Sequence, residues 1–107
     1  MSPQGDALFS VRLFEDMTDA EAVARLDAEV WQATLPDHHV TLGPEWHAIG
    51  ERDVLWTEWE SVKNGSRAAD AFVIIPQGVL RLSLLCEPPI FVQRRATFEQ
   101  IVGSLHE

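Results

Sequence analysis

An α+β fold, a twisted antiparallel sheet packed against two helices, follows from three features of the sequence. Residues 54 to 86 hold three strand-like runs joined by Asn64-Gly65 and Pro76-Gln77-Gly78, which is the chemistry of tight turns. Two further segments, 18 to 34 and 97 to 105, carry apolar residues at helical spacing. No loop is long enough to separate two bodies, so the 107 residues are read as a single domain, with residues 1–6 expected to be flexible. Sequential hairpins exclude a parallel doubly wound sheet and leave the helices to cover an antiparallel one.

The first element is a strand. From Leu8 to Phe14, Phe9, Val11 and Leu13 alternate with Leu8, Ser10, Arg12 and Phe14, which gives a half-buried strand with one clean apolar face. Thr18-Asp19-Ala20-Glu21 has the form of a capping box and starts a helix that runs to about Thr34. Val23, Leu26, Val30 and Ala33 form its expected buried stripe, and Pro36 stops it. From Asp37 to Asp53 the pattern is weaker. There Val40, Leu42, Trp46, Ala48 and Ile49, set among Gly43, Pro44 and Gly50, suit one or two short strands.

Val54 to Lys63, Arg67 to Ile75 and Val79 to Cys86 make the meander of the C-terminal half. In the last of these, Leu80, Leu82 and Leu84 face away from Val79, Arg81, Ser83 and Leu85. Pro88-Pro89 end that strand. Thr97 then caps a closing helix of about Phe98 to Leu105, in which Phe98, Ile101, Val102 and Leu105 share one face.

Composition narrows the function classes. Hydrophobic residues at 46% and charged residues at 23% are those of a folded domain. Net charge is −9, and residues 1–60 hold 13 acids against 3 bases, so the acidity is concentrated in the front half. A nucleic-acid role needs clustered Lys and Arg, and a chain with one lysine argues against it. Such acidity serves solubility or meets a basic partner. No basic segment followed by an apolar run opens the chain, and no apolar stretch approaches the ~20 residues of a membrane helix, so a cytoplasmic protein without membrane contact is expected. The single Cys86 forms no internal disulfide and reads as a small core residue.

Chemistry is sparse. Asp37, His38 and His47 are weak candidates for a metal site, because adjacent histidines of a strand point to opposite faces and only one of His38 and His39 can join His47. Glu58 and Glu60 form a carboxylate pair best explained as an exposed strand face. Arg94-Arg95 read as salt-bridge partners of the acidic half. No nucleophile motif or phosphate-cradling loop is present, so neither an enzyme nor a cofactor is expected. Four tryptophans without a tyrosine stand out. Trp56 and Trp59 fall on opposite faces of one strand, so one of them is expected to point out of the core. Trp31, Trp46, Trp56 and Trp59 are therefore the candidate anchors for a partner.

The run Gly78-Val79-Leu80-Arg81-Leu82-Ser83-Leu84-Leu85-Cys86, then Phe91, then Thr97-Phe98-Glu99-Gln100-Ile101-Val102-Gly103-Ser104-Leu105 resembles the C-terminal signature of the PsbP-like superfamily, whose bacterial branch includes DcrB and LpqN proteins. The likeness covers roughly residues 8–106 and departs at the front, where such proteins carry an extra hairpin. It implies a twisted antiparallel sheet packed against helices, used mostly as a non-enzymatic scaffold, and one bacterial branch acts as chaperones. It carries over no catalytic residues.

The expected function is accordingly a protein-binding scaffold, adaptor or chaperone-like domain acting through a sheet face or edge that also supports a homodimer. Two alternatives stand beside it. One is an immunity or inhibitor protein with an acidic face, and the other is a small metal-dependent or ligand-binding enzyme using Asp37, His38 and His47.

Overall fold

The strand-like runs of the C-terminal half pair as successive antiparallel hairpins. A computed structural model, which describes residues 8–34, 37–61, 63 and 65–104, gives the order β1 (Leu8–Glu15), α1 (Ala20–Thr34), β2 (His38–Ile49), β3 (Arg52–Ser61), β4 (Ser66–Ile75), β5 (Gly78–Cys86) and α2 (Pro88–Gly103). The expectations for residues 1–6, Pro36, Asn64 and Leu105 lie outside the described residues. Strands β2 to β5 pair in sequence order, and β1 returns beside β5, so the five-stranded sheet runs β1-β5-β4-β3-β2. Every pair is antiparallel, and the α+β class read from the sequence is the one observed.

The two helices lie on opposite faces of the sheet. Residues directly opposite each other on antiparallel strands share a face. Trp56, Ala71, Leu82 and Val11 thus line up across four strands on one side, and Leu55, Phe72, Arg81 and Arg12 on the other. The first side packs Trp56, Val73, Leu82 and Leu84 against Phe91, Phe98 and Val102 of α2. The second packs Leu55, Phe72 and Val79 against Ala20, Val23 and Ala24 of α1. This three-layer arrangement overturns the expectation that one of Trp56 and Trp59 points out of the core. Each is 2% exposed, because each face of β3 has its own helix.

Several elements differ from the sequence reading. Helix α1 is capped by Asp19 rather than Thr18, with Asp19 Oδ1 accepting from the backbone N–H groups of Glu21 (3.0 Å) and Ala22 (3.3 Å). Its buried side is Ala20, Val23, Ala24 and Asp27, whereas Leu26 and Val30 are 50% and 60% exposed and Ala33 is also exposed. The weakly patterned middle is one long strand, β2, broken by register shifts between Val40 and Leu42 and between Leu42 and Glu45. Helix α2 begins at Pro88, ten residues before Phe98. Proline lacks an N–H that the first helical turn does not use, so the two prolines start the helix as readily as they end the strand. Ile101, expected in the buried face of α2, is 39% exposed.

Glycine at the start of β5 is required. Gly78 has φ +151°, and a Cβ there would sit 2.2 Å from the carbonyl oxygen of Phe14 on β1. Gly78→Ala is expected to lower stability by about 1–3 kcal/mol and to loosen the Glu15 end of the β1–β5 ladder. Chemical denaturation with hydrogen exchange of the β1 amides checks this. An unchanged midpoint would show that the close approach is relieved at no cost.

Candidate functional site

Beneath α1 the sheet holds a polar network that the sequence did not reveal. Asp27, from the helix, forms an ion pair with Arg81 of β5. Asp70 of β4 is buried between them and the neighbouring strands, accepting from Ser83 Oγ at 2.6 Å and from Trp59 Nε1 at 3.2 Å. Burial, and then the nearby Asp27 charge, push its carboxyl from 3.8 up to about 6. Trp31 of α1 packs on Trp59 with ring centroids 4.7 Å apart, and His38 of β2 meets Trp59 edge-on at 5.4 Å. The cavity they leave is about 60 Å³. That has room for a few water molecules and is far below the size of an organic-ligand site. These groups fasten α1 to the sheet.

The network has a pH signature. Asp70 titrates near 6 in the folded chain and near 3.8 when unfolded, so between those values the folded state holds the extra proton and stability falls as pH rises. The loss is on the order of 3 kcal/mol between pH 4 and pH 7. Asp70→Asn is expected to flatten that slope in thermal melts across this range, and a slope unchanged in the variant would contradict the assignment. Asp37 acts in a separate window. Hydrogen bonds from Ser61 Oγ and the Lys63 backbone N–H, both 2.7 Å, hold its carboxyl below 3.8, so its contribution is lost only as pH falls further.

On the α2 side, Glu58 is buried rather than on an exposed strand face. Its Oε2 accepts from Trp56 Nε1 at 2.9 Å and pairs with Arg95 at 3.2 Å. The expectation that Arg94-Arg95 meet acids of the front half thus holds for Arg95. Glu60 does not share a site with Glu58, and its Oε1 bonds His39 Nε2 at 3.0 Å. Cys86 is buried, and desolvation raises its thiol pKa, which leaves it an unreactive core residue.

The weak metal candidates do not converge. His38 touches Trp59 on the α1 side, whereas His47 lies against Trp56 on the α2 side with centroids 6.2 Å apart. Asp37 is engaged by Ser61 and Lys63. Among the described residues no group of three or more His, Cys, Asp or Glu side chains is placed to hold a metal ion. Of the four candidate anchors, Trp56 and Trp59 are buried, Trp31 is half-buried, and Trp46 is exposed with Nε1 donating to Glu21 Oε2 at 3.1 Å.

Exposed apolar residues gather instead at β1. The alternating face Phe9, Val11 and Leu13, expected to be half-buried, is 40%, 64% and 38% exposed, and Leu8 on the other side is 62% exposed. The reason is position. β1 is an edge strand, reached on the α2 side by Phe98, whose ring lies 6.1 Å from that of Phe9, and bordered on the α1 side by an open cleft of about 220 Å³ lined by Arg12, Phe14, Leu26, Val30 and Arg81. The residues of α1 that look like core in sequence, Leu26 and Val30, therefore line the rim of this edge.

The two edges of the sheet are unlike. β2 carries Pro44, which lacks an N–H, two bulges, and His38, His39 and Glu45, all features that discourage a further strand. β1 pairs with β5 in unbroken register from Leu8 to Glu15, has no proline, and bears no neighbour on its outer side among the described residues. No helix among them is long and apolar enough to cross a membrane. Compared with known families, with curated proteins and with solved structures, the chain matches none.

Proposed function

We propose that this chain is a non-enzymatic protein-binding domain that takes an extended segment of another protein onto the outer edge of β1. The observation that carries the reading is the open, unbulged edge of β1 with Leu8, Phe9, Val11 and Leu13 exposed beside it. A row of free backbone N–H and C=O groups is complemented by a strand, and alternate apolar side chains select an alternating apolar segment. The PsbP-like resemblance of residues 78–105 supports the same reading. With the central strands covered on both faces by helices, the edge takes the role that a free sheet face would otherwise have.

Octapeptides alternating Val or Leu with Ser or Thr, labelled with fluorescein, provide the probe. They are expected to bind saturably to the 107-residue chain at dilutions where it sediments as a monomer. Binding should fall by about tenfold or more when alternate backbone nitrogens are methylated, which removes the edge hydrogen bonds, or when Val11 is replaced by lysine. No binding by any peptide, or binding indifferent to both changes, would defeat the reading.

A further inference from the structure

We infer that the strand β1 accepts is β1 of a second copy of this chain, paired antiparallel about a two-fold axis at Val11, so that two five-stranded sheets join into one. The inference rests on the edge-strand reading above and names its partner. Its warrant is the self-complementarity of Leu8–Phe14.

In a two-fold pair that continues the sheet, both copies show the same face, and directly opposite residues share that face. The axis must then pass through one residue. Centred on Val11, Leu8 meets Phe14 of the second copy, Phe9 meets Leu13, Ser10 meets Arg12, and Val11 meets Val11. Every apolar residue from Leu8 to Phe14 opposes an apolar one, and no like charges face each other. Neighbouring registers are worse. Centring on Arg12 sets two guanidiniums opposite each other, centring on Ser10 sets Leu8 against Arg12, and centring on Leu13 sets Val11 against Glu15.

The surroundings agree with this choice. Leu26 and Val30 of α1, exposed in the cleft beside Arg12 and Phe14, border the same edge on the α1 side. In the joined sheet both copies of α1 lie on one face, flanking the paired β1 strands, and Leu26 and Val30 are the apolar residues they turn toward the join. The stripe of α1 that the fold leaves uncovered is the stripe a second copy covers. Each chain carries a net −9, so the association is apolar and formed against repulsion. Added salt therefore tightens it, where a basic partner would be released.

Sedimentation of the full chain reads the mass directly. A species of twice 12.0 kDa is expected, growing with salt, and Val11→Lys should weaken it about 100-fold by placing two ammonium groups opposite each other. A thermal melt of Val11→Lys shows that it remains folded, since the position is exposed in the monomer. In a Cys86→Ala background, Val11→Cys is expected to give a disulfide-linked dimer under mild oxidation, because directly opposite residues lie within bridging distance. Ser10→Cys and Leu13→Cys, offset from the axis, should not. A dimer that survives Val11→Lys, or that links through Ser10→Cys or Leu13→Cys in preference, overturns the inference. A wild-type monomer that still binds the alternating peptides in a Val11-sensitive way overturns the inference and leaves the edge-strand reading standing, whereas a monomer that binds none ends both.

Discussion

Replacing Arg81 with methionine is expected to lower the unfolding free energy by about 3–5 kcal/mol at pH 7, the usual cost of removing one partner of a buried pair. Arg81 and Asp27 are 15% and 5% exposed at their side chains, and Asp70 lies close enough for the Asp27 charge to raise its pKa. Without the guanidinium, two carboxylates under α1 are left with no cation between them. The double change Arg81→Met with Asp27→Asn should recover most of the loss, because it removes the stranded charge as well. Urea unfolding of the single and double variants beside the parent chain checks this. A loss below about 1 kcal/mol for Arg81→Met would mean that water screens the pair as it does at a surface.

Phe98→Ala should cost a similar amount, about 3–5 kcal/mol, because its ring is 1% exposed and fills the α2 side of the core. Its ring lies 5.5 Å from that of Trp56 and 6.1 Å from that of Phe9. The first contact belongs to the core and the second reaches the edge strand, so this substitution should also loosen β1. Phe98→Leu, which keeps most of the volume, should lose much less. Denaturation midpoints report the first effect, and hydrogen exchange at the Phe9 and Val11 amides reports the second. Equal losses for alanine and leucine would mean that the ring packs no better than an aliphatic chain.

The half of the fold governed by local chemistry was legible in the sequence. Turn residues between β3, β4 and β5, with the alternation of Leu80, Leu82 and Leu84 against Arg81 and Ser83, specify the meander without reference to the rest of the chain. What depended on distant partners was not legible. Asp27 takes a buried position on α1 because Arg81, 54 residues later, meets it. That rotates Leu26 and Val30 out of the core. Both Trp56 and Trp59 are buried because the helices settle on opposite faces, and nothing in the strand itself says which faces are covered. Pro88-Pro89 are ambiguous for a physical reason, since the same missing N–H that ends a ladder suits a helix start.

The candidate site followed the same division. Alternation in Leu8 to Phe14 showed an apolar face, but its exposure depends on strand order, which places β1 at an edge. The tryptophans stand out by number and, for Trp56 and Trp59, by strand alternation, and three of the four serve packing in whole or part. Asp37, His38 and His47 are close in sequence, yet the face alternation of β2 and its two bulges send the histidines to opposite sides of the sheet.

Hydrogen exchange at the outward-facing amides of β1 in the monomeric chain at high dilution, with and without a saturating alternating apolar peptide, tests directly whether β1 is the binding edge. Slowed exchange along Leu8–Phe14, with β2 unchanged, is expected. Protection confined to β2 or to the surface around Trp46, with β1 exchanging as before, would contradict it.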